Sequence, residues 1–274
     1  MKNAGWHFYR AYYDVLTMDS KLLENFVKDG KFFNSQSNKN EEEEKFFYDS
    51  NRPLLEFKFS NSASAYFMAK GGFSLKTTYP GLLIGSGYGH QTGTQGEFKL
   101  GFFFDHTTGL PCIPGSSVKG LLRSAFPGDK EAKEKKAMKI RFVQALLKQI
   151  NSKLILSAEE IGELERNIFE GEKTERMHGQ DVFLDAFPEK GARSDLLFAD
   201  DYITPHPDAL KNPKPVRFMK IRPGVQFRFN FILHPVTIGK HNITAAEKEA
   251  LFKRILEQFG IGAKTNTGYG QLID

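Results

Sequence analysis

Cysteine is almost missing. A single thiol, Cys112, in 274 residues allows no disulfide within the chain and no zinc site of the paired-cysteine type, a usage that fits a reducing compartment. Long apolar runs are missing too. Runs such as Leu82-Leu83-Ile84 and Phe102-Phe103-Phe104 fall far short of the roughly 20 residues that cross a bilayer. The opening MKNAGWHFYR contains nothing resembling the apolar region of a signal peptide, so a soluble protein at a cytoplasmic location is expected, with no membrane partner. The histidines, His7, His90, His106, His178, His206, His234 and His241, form no HxH or HxxxH pair, which removes local support for a histidine metal site. No GxxxxGK[ST] string occurs, so a nucleotide P-loop is unsupported.

What is present is phenylalanine. There are 26 Phe against 9 Tyr and one Trp, and a ring without a polar handle belongs in a core. The aromatic count therefore says little about base stacking. Hydrophobic residues make up 40% of the chain, enough for a sizeable interior at this length. Charge is mildly basic, 38 Lys+Arg against 33 Asp+Glu for a net +5.

Residues 1–70 read as an accessory region, with an apolar-periodic stretch from Tyr12 to Val27 and the polar run Asn34 to Glu44. Residues 71–274 read as one domain. Phe98, Leu100, Phe102 and Phe104 alternate as in a half-buried strand. Pro114 is placed to open a helix whose apolar face is Val118, Leu121 and Leu122, ending near Pro127-Gly128. Two further helices are expected across 130–168, the second begun by a capping box of Ser157 and Glu160, and the helical insertion as a whole spans about 128–170. Strand signals return at 182–184, 196–199, 216–221 and 225–233, the last alternating Phe227, Phe229 and Phe231 with Gln226, Arg228 and Asn230 as a two-faced strand. Pro223-Gly224 is a turn signal, and a second capping box, Thr244 with Glu247, starts a helix striped by Leu251, Ile255, Leu256 and Phe259. The order suits an α+β architecture, an antiparallel sheet with helices on one face, and a ferredoxin-like βαββαβ unit is its simplest form.

Charge is unevenly distributed. Residues 114–153 carry ten Lys/Arg and three acids, 159–185 carry nine acids and three basic residues, and 211–228 carry six Lys/Arg and no acid. A basic groove beside an acidic contact surface and a set of ordinary solvated faces both account for these counts.

Two segments have the makings of a phosphate site. In GLPCIPGSSVKGLLR, which follows Gly85-Ser86-Gly87-Tyr88-Gly89 along the chain, a helix N-terminus would present amides, Ser116 and Ser117, with Lys119 and Arg123 one turn apart. A capped helix with two exposed cations is the alternative. In GIGAKTNTGYG, Gly262 and its companions permit positive φ and close approach of another chain, with Lys264 and Thr265 in the middle.

These two strings, in this order, resemble the helix-one signature and the C-terminal glycine-rich loop of the RAMP superfamily of CRISPR-associated RNA-binding proteins. DVFLDAFPEKG and DYITPH...PVRFMKIRPGVQFRF look most like the family of sixth RAMP subunits of the type III-B (Cmr) effector complex. The resemblance covers about residues 70–272. It implies a ferredoxin-like core related to the RNA recognition motif (RRM-like), and a non-catalytic backbone subunit that holds the CRISPR guide RNA near its 3′ end in antiviral defence. It also implies partners: other RAMP subunits and the small helical subunit of the Cmr complex. By match to the signatures, Ser116, Ser117, Lys119 and Arg123 would face the guide backbone, with Gly262, Lys264 and Thr265 nearby, and His90, after the first glycine pair, within reach of RNA. Such contacts suit a guide of any sequence.

One departure bears on catalysis. In the repeating subunit that cuts target RNA a histidine precedes the first glycine pair, whereas Leu83 stands in the corresponding position here. No catalytic residue, metal or cofactor is therefore expected. The alternative is a RAMP endoribonuclease using general acid–base chemistry at His90 and His106 with Lys119, or metal chemistry at Asp181 and Asp185 or at Asp200 and Asp201. A third reading is a protein-interaction scaffold whose RNA contacts are incidental. As the terminal subunit of a multi-protein filament the chain would use 130–168 and 211–233 as contact surfaces, and deleting 130–168 is expected to leave the core folded.

Overall fold

The computed structural model describes residues 3–11, 14, 49–59, 71–85, 97–98, 102–128, 130–170, 181–204 and 215–274. Its elements, in chain order, are β1 (Gly71–Thr77), α1 (Gly115–Ser124), α2 (Lys133–Ile150), α3 (Ala158–Phe169), β2 (Val182–Phe183), β3 (Phe187–Lys190), β4 (Phe198–Ile203), β5 (Val216–Ile221), β6 (Gln226–Ile232), β7 (Val236–Ile238), β8 (His241–Ile243), α4 (Ala245–Phe259) and β9 (Leu272–Ile273). The expected stretch from Tyr12 and the polar run Asn34 to Glu44 lie outside the described residues, Asp14 apart.

Alternating phenylalanines set the centre of the fold. Phe227, Phe229 and Phe231 of β6 are buried, and β6 pairs antiparallel with β1 in the register Phe73↔Phe229 and Leu75↔Phe227. β9 joins the other side of β1, while β2 and β3 both pair with β6, giving the antiparallel order β2-β6-β1-β9. Taken as one interrupted strand, β2 and β3 complete the expected βαββαβ arrangement, with α1 and α4 as its two helices. The strand is less cleanly two-faced than its alternation suggests. Arg228 is half-buried and Asn230 buried, because Phe187, buried opposite Arg228, extends the packed layer over that face too.

Both capping boxes form as the sequence indicates. Ser157 and Thr244 accept from the backbones of Glu160 and Glu247, whose carboxylates accept in return from the cap backbones. α2 and α3 occupy the expected insertion, yet they are part of the interior. Val143, Leu147, Ile161, Leu164, Ile168 and Phe169 are buried in the same core as the sheet, and Phe169 stacks on Phe183 at 5.7 Å. Removing 130–168 would open that core, contrary to the expectation that the segment is separable.

One other expectation changes. Phe98, Phe102 and Phe104 are all buried, but they belong to no strand beyond a single bridge from Phe104 to Pro111; Leu100 lies outside the described residues. Their burial comes from rings: Phe8, Phe102, Phe104, Phe57 and Phe198 contact one another edge-on or tilted. Ala4, Phe8, Leu54, Phe57 and Phe59 thereby enter the core shared with the sheet. Pro223-Gly224 makes the turn that the sequence signals, and the strand before it pairs with β4. The turn carries the chain from one sheet to the other. Among the described residues no helix is long and apolar enough to cross a membrane.

Candidate nucleic-acid interface

The glycine-rich segment is held by the stretch that follows β1. Ile261 and Gly270 close the segment on itself, with Ile261 N donating to Gly270 O at 2.9 Å, and Gly270 N donates on to Gly81 O at 2.7 Å. Ala263 N reaches Leu83 O at 2.9 Å. Gly262 has φ +96, and a Cβ there would lie 2.3 Å from Leu83 O, so only glycine permits this approach. Between these anchors the chain makes a tight 3-10 turn, Thr265–Thr267, entered by Lys264 at φ 60 and left by Gly268 at φ 92.

Leu83, expected on the sequence to replace a histidine, is 2% exposed and packs with Phe218 and Tyr269 in a small core of its own. That core joins the glycine-rich segment to the β4–β5 hairpin. Above it, Asp201 Oδ2 accepts from Tyr269 OH at 2.7 Å and from Lys220 Nζ at 2.5 Å. Burial pushes the Asp201 carboxyl up, but the bonds from Lys220, Tyr269 and the Tyr202 backbone outweigh it and hold the group below the usual carboxylate range. Burial, with the neighbouring Asp201, pushes the Tyr269 hydroxyl up. Asp201 thus stays ionised and Tyr269 protonated at neutral pH.

α1 begins at Pro114, as the sequence indicates, and its surface divides into two flanks. With about 3.6 residues per turn, Val118 and Leu122 point inward, leaving Ser117, Leu121 and Ser124 on one side and Ser116, Lys119 and Arg123 on the other. The first flank lines a cleft of about 470 Å³ with Leu82, Ile84, Gly85, Gly262 and Ala263. The two sequence signatures therefore meet across one cleft. The second flank faces away from it: Lys119 Nζ sits 5.9 Å from the Phe183 ring centre, and Arg123 is ion-paired with Glu170 and lies 3.9 Å from Glu165.

The helix N-terminus differs from the sequence reading. Asp185 Oδ1 accepts from Gly115 N at 2.7 Å, and Ser117 N and Val118 N turn back to Pro114 O. A carboxylate already occupies the electropositive end, supplied by the break between β2 and β3, where Ala186 and Ile113 exchange backbone bonds. The chain offers no local signal for this contact, because the partners are 70 residues apart.

The other acidic candidates are also engaged. Asp181 and Lys248 form a completely buried ion pair at 2.7 Å, with His234 N on the second carboxylate oxygen; burial pulls the Lys248 ammonium down while Asp181 opposes the shift. Asp200 is bound by Arg217. Among the described residues no group of three or more His, Cys, Asp or Glu is placed to hold a metal ion. His106 is exposed and stacks on Tyr9 at 6.4 Å, and His90 lies outside the described residues.

Comparison with known proteins agrees with the two signatures. The family model of the RAMP superfamily matches residues 74–273. The CRISPR system subunit Cmr6 of Saccharolobus solfataricus is 28% identical over 177 residues, covering 63% of this chain and 48% of that protein. The Cmr6 of Pyrococcus furiosus is 25% identical over 206 residues, covering 61% of this chain and 58% of that protein. The chain spans about half the length of the curated relatives it matches. A chain from the cryo-EM structure of the type III-B Cmr-beta bound to cognate target RNA has a similar fold. It superposes with TM-score 0.55 at 22% identity, over 97% of this chain and 91% of that one.

Proposed function

Because the chain belongs to the RAMP superfamily, whose model matches residues 74–273, we propose that it is a non-catalytic backbone subunit of a type III-B CRISPR effector complex. In this reading residues 71–274 are the RAMP unit, with 128–170 inserted and 1–70 as an accessory region. The subunit binds the guide RNA near its 3′ end and contacts neighbouring RAMP subunits and the small helical subunit in antiviral defence.

The observation that carries the reading is the cleft in which Ser117 of α1 faces Gly262 and Ala263. It joins the two signature segments, and Lys264 and Thr265 follow Ala263 in the chain. Hydroxyls, open backbone and a cation suit phosphates, which position an RNA without reading its bases. The geometry favours Ser117, Gly262, Lys264 and Thr265 as backbone contacts. Ser116, Lys119 and Arg123 would serve a second stretch of RNA or a neighbour on the far flank, and Arg123 would have to share its guanidinium with Glu170. The absence of catalysis is supported by Leu83, an apolar core residue in the position where a cleaving relative has histidine.

RNA bound to the protein purified from its host tests the assignment, with small RNAs carrying CRISPR repeat tags expected and unrelated RNA contradicting it. In vitro, Lys264→Ala should weaken all single-stranded RNA sequences about equally and reduce the salt slope by about one. Loss confined to one sequence would count against phosphate recognition, and magnesium-dependent cleavage by the purified chain would overturn the non-catalytic assignment.

A further inference from the structure

We propose that Tyr79 is a stacking platform for one unpaired base of the RNA. This rests on the RNA-binding reading above and adds to it a residue that neither signature contains. At 84% exposure Tyr79 is the most open large hydrophobic side chain among the described residues, and among their aromatic rings it stands well ahead of Tyr202 at 57% and Trp6 at 50%. An aromatic ring left in water forgoes the burial that draws the phenylalanines of this chain inward.

The exposure is built in, because the backbone beneath the ring is fixed on both sides. Thr78 N donates to Gln271 O at 3.0 Å, and on the other side of Pro80, Gly81 O accepts from Gly270 N at 2.7 Å. Leu82 then bridges to Ile221 of β5. The anchors are the last residue of the glycine-rich segment and the residue after it, so the Tyr79 backbone is tied to that segment. Pro80 Cδ lies 3.6 Å from where a Cβ on Gly268 would be, which places the Tyr79 turn beside the Lys264–Gly268 turn. A ring carried on a fixed backbone has only its own side-chain rotation left to lose on binding.

The neighbourhood points to the ligand. A left-handed turn with Lys264 at its entrance suits a phosphate, and a ring alongside suits the attached base. Phosphate-binding backbone plus an aromatic face is the combination that holds single strands without sequence preference. A protein anchor would also use an exposed tyrosine, but it would have no call for the adjoining anion-friendly turn.

The test is a series at position 79 in the full chain, measured with single-stranded oligouridine, with the same oligomer carrying abasic sites, and by ultraviolet crosslinking of 5-iodouracil RNA. Tyr79→Ala should bind oligouridine roughly tenfold more weakly, the size of one base–aromatic stack. Tyr79→Phe and Tyr79→Trp should retain the affinity, the loss should vanish on the abasic oligomer, and crosslinked peptide should map to Tyr79. If Tyr79→Ala binds as tightly as the parent while Lys264→Ala still weakens binding, the stacking assignment is wrong and RNA binding stands. If the parent itself binds no RNA, both fall. Unchanged RNA affinity with loss of assembly into the complex would make Tyr79 a protein contact and overturn the proposal.

Discussion

Asp201 shows how a single carboxylate can hold an interface element in register. Its oxygen Oδ2 ties Lys220 of β5 to Tyr269 of the glycine-rich segment, so the loop and the hairpin cannot shift independently. Replacing it with asparagine leaves Lys220, itself 9% exposed, without an anion, and should cost about 1–2 kcal/mol at pH 7 after allowance for solvent screening. The sign of the pH dependence follows from the depressed carboxyl. Its stabilisation is complete above the ordinary aspartate range and is lost as pH falls through the lower folded value. Urea unfolding of parent and Asp201→Asn should therefore show a gap that is constant from pH 7 to pH 5 and narrows as pH falls below the ordinary aspartate range; a gap that does not narrow there would refute the argument. Cys112 offers a second check. Burial, then Asp185 and Asp105, push its thiol up to about 12, so a maleimide at pH 8 should leave the native protein unmodified and label one thiol once it is unfolded.

Among the elements, glycines separate those that shape the interface from those that merely lie on it. Gly270 has φ +73, and a Cβ would fall 1.9 Å from Ile261 O, across the very pair that closes the glycine-rich segment. Gly270→Ala should cost about 2–3 kcal/mol and weaken RNA binding by loosening the loop. Gly120 is the opposite case. It sits in the exposed middle of α1 with nothing within 4 Å of an added Cβ, so Gly120→Ala should stabilise by about 0.5–1 kcal/mol. Thermal melts compare the two directly. A Gly120→Ala variant that melts higher yet binds RNA less well would indicate that the ligand runs close over the helix between its two flanks.

On the scale of the whole molecule, the insertion and the N-terminal residues share one interior with the sheet. Among the described residues the ten largest fully buried side chains are all phenylalanine: Phe8, Phe98, Phe102, Phe104, Phe126, Phe198, Phe218, Phe227, Phe229 and Phe231. Phe169 in particular links α3 to Phe126 and Phe183. Phe169→Ala should cost about 3–5 kcal/mol, and deletion of 130–168 should abolish the cooperative melt. If the deletion variant melts cooperatively at the parent temperature, the aromatic bridge does not matter to the fold. A contact role for the insertion is better tested on its outer face, where Lys133, Arg141 and Lys148 are exposed and reversal of charge leaves the packing intact.

The sequence by itself determined what depends on neighbours along the chain. Period-two phenylalanines specified β6, both Ser/Thr-to-Glu boxes specified helix starts, and the order of elements specified an antiparallel α+β fold, because each of these is a local pattern of burial or capping. It also marked the two segments of the candidate interface, since glycine spacing and helix starts are written locally. The tertiary structure alone decided which side chains those segments share. Helical phase sent Ser117 to the cleft and Lys119 and Arg123 away from it, Asp185 arrived from a distant strand break to take the helix N-terminus, and the turn that carries Tyr79 was brought beside the Lys264–Gly268 turn by the backbone bonds of Thr78 and Gly81 to Gln271 and Gly270. Those outcomes rest on contacts between residues far apart in the chain, where no periodicity connects one partner to the other.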